Sequence, residues 1–262
     1  MPDAMNHTPI RTCATLLALA IVLSWLAGCA HRTPVSGDTV AWHHARQLIL
    51  VTTPDWNATS GTLRTYERDR EGAWQEHGEG VPITVGRSGS AWGLGLHPAQ
   101  PGVQKREGDG RAPAGVFAIG QAFGYGPDAA TALPYAQMQA TSWCMDVVGS
   151  PLYNRIVDAA QVGDAAVQGS TEPMRLDLHN DGDQRYRNGF VILHNARAEK
   201  GAGSCIFAHL WGKPGQPTAG CTAMAPESMQ RLYAWLKPEA NPAFVLLPED
   251  EYRRLRTAWG LP

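Results

Sequence analysis

From Arg46 to the C-terminus the chain breaks into short apolar or alternating runs of strand length, and only two late segments carry a helical period. A run of period two buries one face as a strand and scatters it as a helix, so this pattern restricts the chain to a mainly β fold with a few helices. "QLILVTT" is a compact strand ending at Pro54. "TLRTYERD" and "AWQEH" alternate around the turn-like "REG", a hairpin signal. "PITVGR", "GVFAIGQAF" and "ATSWCMDVV" read as further strands, and "PLYNRIVDAA" as one or two helical turns. "GFVILHN" and "SCIFAHLW" have the length and apolar content of buried strands. After Pro226 the period changes: Met229, Leu232, Tyr233 and Leu236 fall on one helical face, and the helix should stop near Pro238. "AFVLLP" returns to strand and "EDEYRRLRTAW" closes as an amphipathic helix, with "YRRLR" on its solvated side. No internal repeat or low-complexity tract interrupts the series.

The N-terminus points to export. Cys13 to Trp25 is an apolar run of 13 residues behind Arg11. A membrane span needs about 20 such residues, whereas a secretory signal uses fewer. Leu26-Ala27-Gly28-Cys29 follows and resembles a bacterial lipobox. The expectation is a signal peptide over 1–28, lipidation of Cys29, and a tether over 29–45 leading into one domain at 46–262. As a flexible coil the tether spans roughly 20–24 Å and keeps that domain near its membrane. Ala30 at the next position favours the periplasmic face of an outer membrane. A formal net charge of −2, with Lys and Arg scattered, argues against a nucleic-acid partner. Nothing in the sequence sets the oligomeric state.

Setting aside Cys13 and Cys29 leaves Cys144, Cys205 and Cys221, an odd number for an exported domain. Pairing Cys144 with Cys205 would leave Cys221 free; the alternative is that they stay unpaired. Cys221 lies in "TAGCTAM", twelve residues after His209, across the loop "LWGKPGQPTAG". A thiol with a pKa of about 8.5 is only a few per cent thiolate at neutral pH, and a nearby imidazole raises that share. His209 near the end of an apolar strand has a fixed position. Gly220 lets a substrate carbonyl approach the backbone, and the N–H groups around Gly220 and Cys221 lie where an oxyanion forms. The helix starting at Pro226 adds a dipole that favours the thiolate. Signatures of competing chemistries are absent: no Ser-x-x-Lys, Gly-x-Ser-x-Gly, His-Glu-x-x-His, Cys-x-x-Cys or phosphate loop. His179, His194 and His209 recur at intervals of fifteen, and with Asp177 or Asp181 they offer a zinc alternative. Placement on or near neighbouring strands is the favoured explanation of the spacing, and no metal site is expected. The adjacent His43 and His44 form a poor metal site, and the chemistry of Cys221 needs neither metal nor organic cofactor.

"GSCIFAHLWGKPGQPTAGCTAM" resembles the catalytic segment of the L,D-transpeptidase (YkuD-type) family, in a branch whose cysteine is followed by x-Ala-Met. "GDGRAPAGVFAIGQAFGYG", "CMDVVGSPLYNRIVD" and the ending "EYRRLRTAWGLP" are similar to other segments of that branch. The resemblance implies a curved β-sandwich with the cysteine at the foot of an open groove. It implies attack on the bond between the third residue and D-alanine of a peptidoglycan stem peptide, through a thioester. A second stem, a protein lysine, a free D-amino acid or water then accepts the acyl group. Cys221 matches the nucleophile, His209 the base, Gly220 the glycine beside the oxyanion hole and Thr218 the Ser/Thr before it. Leu210 after the histidine, the short interval, and Ala223 in place of an arginine depart from the common pattern. Two alternatives stand beside this expectation. One is a cysteine L,D-carboxypeptidase or amide hydrolase; the other is a non-catalytic peptidoglycan-binding lipoprotein.

Overall fold

The computed structural model describes residues 41–262. The expected signal peptide, the lipidation site Cys29 and most of the tether lie outside the described residues. The fold is mainly β with five short helices among them, as the run pattern and the resemblance implied. The strands are β1 (Gln47–Thr53), β2 (Ser60–Arg68), β3 (Trp74–Glu76), β4 (Val81–Thr84), β5 (Ser90–Trp92), β6 (Ala112–Gly124) and β7 (Tyr135–Gln137). They continue as β8 (Ser142–Cys144), β9 (Ile156–Asp158), β10 (Glu172–Pro173), β11 (Asn188–Ile192), β12 (Phe207–Leu210), β13 (Thr222–Met224) and β14 (Ala243–Pro248).

One sheet runs in the order β1-β14-β6-β11-β12-β13-β4-β2, and β2 pairs again with β1, so the curved sheet closes on itself. Closure explains why β14, "AFVLLP", is apolar at every position: all six residues are buried. Phe117 stands opposite Phe244 and Val116 opposite Val245 across the β6–β14 pair, and all four are buried in the core. Each such side chain contributes roughly 1.5–3 kcal/mol by leaving water. The helix Pro226–Trp235 lays Met229, Leu232 and Tyr233 on the same core. Its Tyr233 hydroxyl accepts from the Gly189 N–H at 2.8 Å and lies 2.8 and 2.7 Å from the Phe123 and Gly189 carbonyls, tacking β6 to β11. Gly189 stands in register with His209, so this anchor is one strand away from the imidazole.

A second, three-stranded sheet orders β10-β8-β9 around Met145, Ala159 and Val167. Here "PLYNRIVDAA" departs from expectation. Ile156 and Val157 pair with β8, because branched side chains favour a strand, and the helix begins only at Ala159 under the Asp158 cap. Of the tether expected over 29–45, Trp42 and Ala45 are buried in the body, and the Trp42 indole donates to the Trp259 carbonyl at 2.9 Å. The closing helix, Glu249–Leu255, exposes Arg253 and Arg254, which pair with Asp250 and Glu251.

Candidate active site

β12 and β13 are adjacent and parallel, with Ala208 opposite Thr222 and His209 opposite Ala223. Side chains alternate along a strand, so Phe207 and His209 point to one face. Extending the register by one residue sets Cys221 beside Phe207 on that face. The Phe207 N–H accordingly donates to the Cys221 sulfur at 3.3 Å. His209 and Cys221 both line a groove of about 620 Å³, together with Thr218, Gly220, Cys205, Glu172, Arg185 and Tyr186. His209 is 3% and Cys221 7% exposed.

The cysteine arithmetic resolves in the structure: Cys144 is bridged to Cys205, and Cys221 is a free thiol. The bridge joins the small sheet to the residue whose carbonyl receives the Cys221 thiol at 3.5 Å. Cys205 holds a φ of 56°, in the left-handed region, with its N–H on the Asn154 side-chain carbonyl at 2.9 Å. The main chain below the sulfur is therefore fixed from two sides.

His209 Nδ1 lies 2.7 Å from the Leu210 carbonyl. A carbonyl only accepts, so Nδ1 carries the proton and Nε2 keeps its lone pair. The sequence offered no group to orient this imidazole; the backbone supplies it. The Tyr186 ring packs edge-on against it, centroids 5.2 Å apart. Burial pushes the imidazole down to about 4 and the Cys221 thiol up to about 12, the latter helped by the Glu172 charge. Both shifts favour neutral partners. Moving the thiol proton to the imidazole costs on the order of 10 kcal/mol before the two new charges attract each other. Burial of both groups therefore favours a thiol and a neutral imidazole over a preformed ion pair.

One expectation about this loop and its helix changes, and one gains a packing reason. A Cβ on Gly220 would meet the Arg111 carbonyl oxygen at 3.0 Å and Ile206 Cδ1 at 3.4 Å, so the packing behind the loop is tight at this position as well. Its N–H is already donated to Thr218 Oγ1 at 3.1 Å, and that hydroxyl donates to the Cys221 carbonyl at 2.6 Å. Thr218 is itself pinned, its N–H to Val85 and its carbonyl to the Arg87 N–H. The dipole of the helix Pro226–Trp235 does not reach the sulfur. β13 intervenes, about 10 Å of extended chain, and the effect fades within a turn.

The three evenly spaced histidines do not converge. His179 and His209 line the groove, but His194 accepts from the Leu94 N–H at 3.1 Å and sits 2.9 Å from the Ala202 carbonyl in the core. Among the described residues no three His, Cys, Asp or Glu side chains cluster as metal ligands. Glu172, Tyr186 and Arg185 carried no sequence signal: Glu172 reaches the groove from the two-residue strand β10, and Arg185 and Tyr186 from the segment before β11. Arg185 is held by Asp183 at 2.7 Å.

The L,D-transpeptidase catalytic-domain model of the YkuD family matches residues 55–245, well over half of the sequence, and the chain belongs to that family. No curated protein and no solved structure matches it.

Proposed function

We propose that this member of the L,D-transpeptidase family is a cysteine acyltransferase acting on peptidoglycan stem peptides, with Cys221 as nucleophile and His209 as base. The observation that carries this reading is the unbridged sulfur at the foot of a groove, on the same strand face as an imidazole whose Nε2 is left unprotonated. Substrate entering the groove expels water and brings the carbonyl of the third stem residue to the sulfur. As the C–S bond forms, the thiol proton passes to His209 Nε2, so the separated charges of an ion pair exist only while the carbonyl oxygen is taking up charge. With the Gly220 N–H already donated to Thr218, the Cys221 amide is the donor the loop offers to that oxygen. The imidazolium then protonates the departing D-alanine amine, and the thioester remains. An acceptor amine, deprotonated by the same Nε2, takes the acyl group and restores the thiol.

The proposal includes export and anchoring: residues 1–28 as signal peptide, Cys29 carrying lipid, and the enzyme on the periplasmic face of an outer membrane. Its support is the apolar run before Leu26-Ala27-Gly28-Cys29. The test is mass spectrometry of muropeptides from cells expressing the protein or Cys221→Ala. New 3→3 or D-residue-exchanged species with the native chain alone are expected. Tripeptide stems alone assign water as the acceptor, and identical profiles remove the catalytic reading.

A further inference from the structure

Two groups meet behind the nucleophile. Glu172 on β10 lines the groove beside Cys221, and its Oε1 accepts from the Tyr186 hydroxyl. Tyr186 is buried, its ring edge-on to His209 at 5.2 Å and to Phe207 at 5.6 Å. Phe207 supplies the N–H that meets the sulfur. β10 is held in place as well: Glu172 is in register with Cys144, which is bridged to Cys205, whose carbonyl receives the thiol. The carboxyl and the sulfur therefore belong to one fixed cluster.

The charges facing this cluster are few. Glu172, Lys105 and Arg185 act on Cys221, while Asp146, Glu107 and Arg185 act on Glu172 along with the Tyr186 phenol. Lys105 already has Asp109 at 2.7 Å, and Arg185 has Asp183. Asp146 accepts from Thr171, and Glu107 from Ser204 and Tyr153. Glu172 has no cation of its own within ion-pair distance among the described residues. After burial, its charge is the largest influence opposing ionisation of the thiol.

We propose, on the basis of the acyl-transfer reading above, that Glu172 is a specificity-determining residue. Glu172 is an acidic side chain that shares the groove with Cys221, and a reactant that sets a cationic group beside it is attacked in preference to neutral or anionic ones. Tyr186 is the positioning residue that holds the carboxylate. A neighbouring cation cancels the field of Glu172 at the sulfur, the thiol proton then transfers to His209 Nε2, and the sulfur bonds to the reactant. The proton returns with the leaving group, so no other reagent is consumed.

The experiment uses methanethiosulfonates of opposite charge, 2-aminoethyl and 2-sulfonatoethyl, with the neutral methyl reagent as reference. Each converts the thiol to a mixed disulfide and releases methanesulfinate. Rates are read by mass spectrometry on the Cys221 peptide and divided by those for glutathione. The native chain is expected to favour the cationic reagent over the anionic one on the order of tenfold at low salt. Glu172→Gln should bring that ratio toward one and speed the neutral reagent. An unchanged ratio in a folded Glu172→Gln chain, or slower neutral labelling, overturns the proposal. Should Glu172→Gln not fold, Tyr186→Phe serves: without its donor the carboxyl protonates more readily. The charge preference of the native chain should fall off as the pH drops toward 7 and that of Tyr186→Phe at a higher pH, and coincident profiles overturn the proposal. Labelling needs no cell-wall substrate. Failure here removes the role of Glu172 alone, and failure of the muropeptide test leaves the charge preference measurable.

Discussion

Alkylation of Cys221 in the empty groove measures whether the nucleophile rests as a thiol. Its pKa is pushed up to about 12 by burial and by Glu172, while that of His209 is pushed down to about 4. At pH 7.5 a pKa of 12 leaves a thiolate fraction of about 3 × 10⁻⁵, against about 0.1 for an ordinary cysteine. The ionisation deficit alone slows iodoacetamide about 3,000-fold. Access to a sulfur only 7% exposed slows it further, so the absolute rate mixes two causes. The pH dependence separates them, since steric access does not titrate. Between pH 6.5 and 9.5, labelling of the Cys221 peptide should rise about tenfold per pH unit without levelling. A thiolate–imidazolium pair already present in the empty enzyme would give a plateau with its midpoint below pH 8. That plateau would show the burial argument to be wrong and would move the activation step from substrate binding to folding.

Replacing both Cys144 and Cys205 by Ser removes a link between residues 61 apart, and loop-closure entropy puts the loss at about 4 kcal/mol, readable as a lower urea midpoint. A midpoint unchanged from the oxidised native chain would mean the small sheet docks without its bridge. Acid should destabilise the fold through His194 and His209, both pushed to about 4 by burial. The unfolded chain binds their protons below pH 6.5, so each contribution is present above that pH and is lost toward pH 4, about 3 kcal/mol apiece. Glu172, raised to about 7, works the other way: it adds stability below pH 4.5 that is lost as pH rises through 7. The difference in urea stability between pH 7 and 4.5 should therefore be larger in Glu172→Gln than in the native chain; a smaller difference contradicts the assignment. Gly220→Ala forces a methyl against the Arg111 carbonyl at 3.0 Å, a backbone atom that cannot rotate away. A loss of about 1–3 kcal/mol by thermal melting is expected, with acylation of Cys221 impaired; a neutral substitution would show that the loop has slack.

The strands most legible in the sequence are those buried on both faces. β12 and β14 are buried at every position and β1 at all but one, because the closed sheet and its covering helix leave them almost no wet side. The helix from Pro226 was equally legible, since four apolar residues at helical spacing have one use. The return of β2 onto β1 was not legible, because pairing partners leave no mark on either strand. Within the site, His209 and Cys221 stood out by residue type and by the loop between them. Gly220 stood out as a missing side chain, but the crowding behind it, against the Arg111 carbonyl, could not be read from the sequence. Glu172 and Tyr186 were invisible because their hydrogen bond spans fourteen positions, from a two-residue strand across a short helix, and no pattern in the sequence marks it.

The interval from His209 to Cys221 is short for the geometry it serves. Parallel neighbours cannot be joined by a tight turn; the chain must leave the end of β12 and travel back to enter β13 beside its own start. A helical crossover is the common solution, and residues 211–221 are too few to hold one and return. The loop instead turns at Gly215, with a φ of 75°, and is caught on its way back by Val85 and Arg87, which flank Gly86 on the strand side and hold both ends of the Thr218 peptide. Thr218 then bonds the Gly220 amide and the Cys221 carbonyl, setting the direction in which the chain enters β13. Because that register decides which face the sulfur occupies, a one-residue slip would turn Cys221 away from His209. Residues added between Trp211 and Gly215 leave the Thr218 anchor untouched. Residues removed between Thr218 and Cys221 change the register itself, so tolerance to length change in this loop is one-sided.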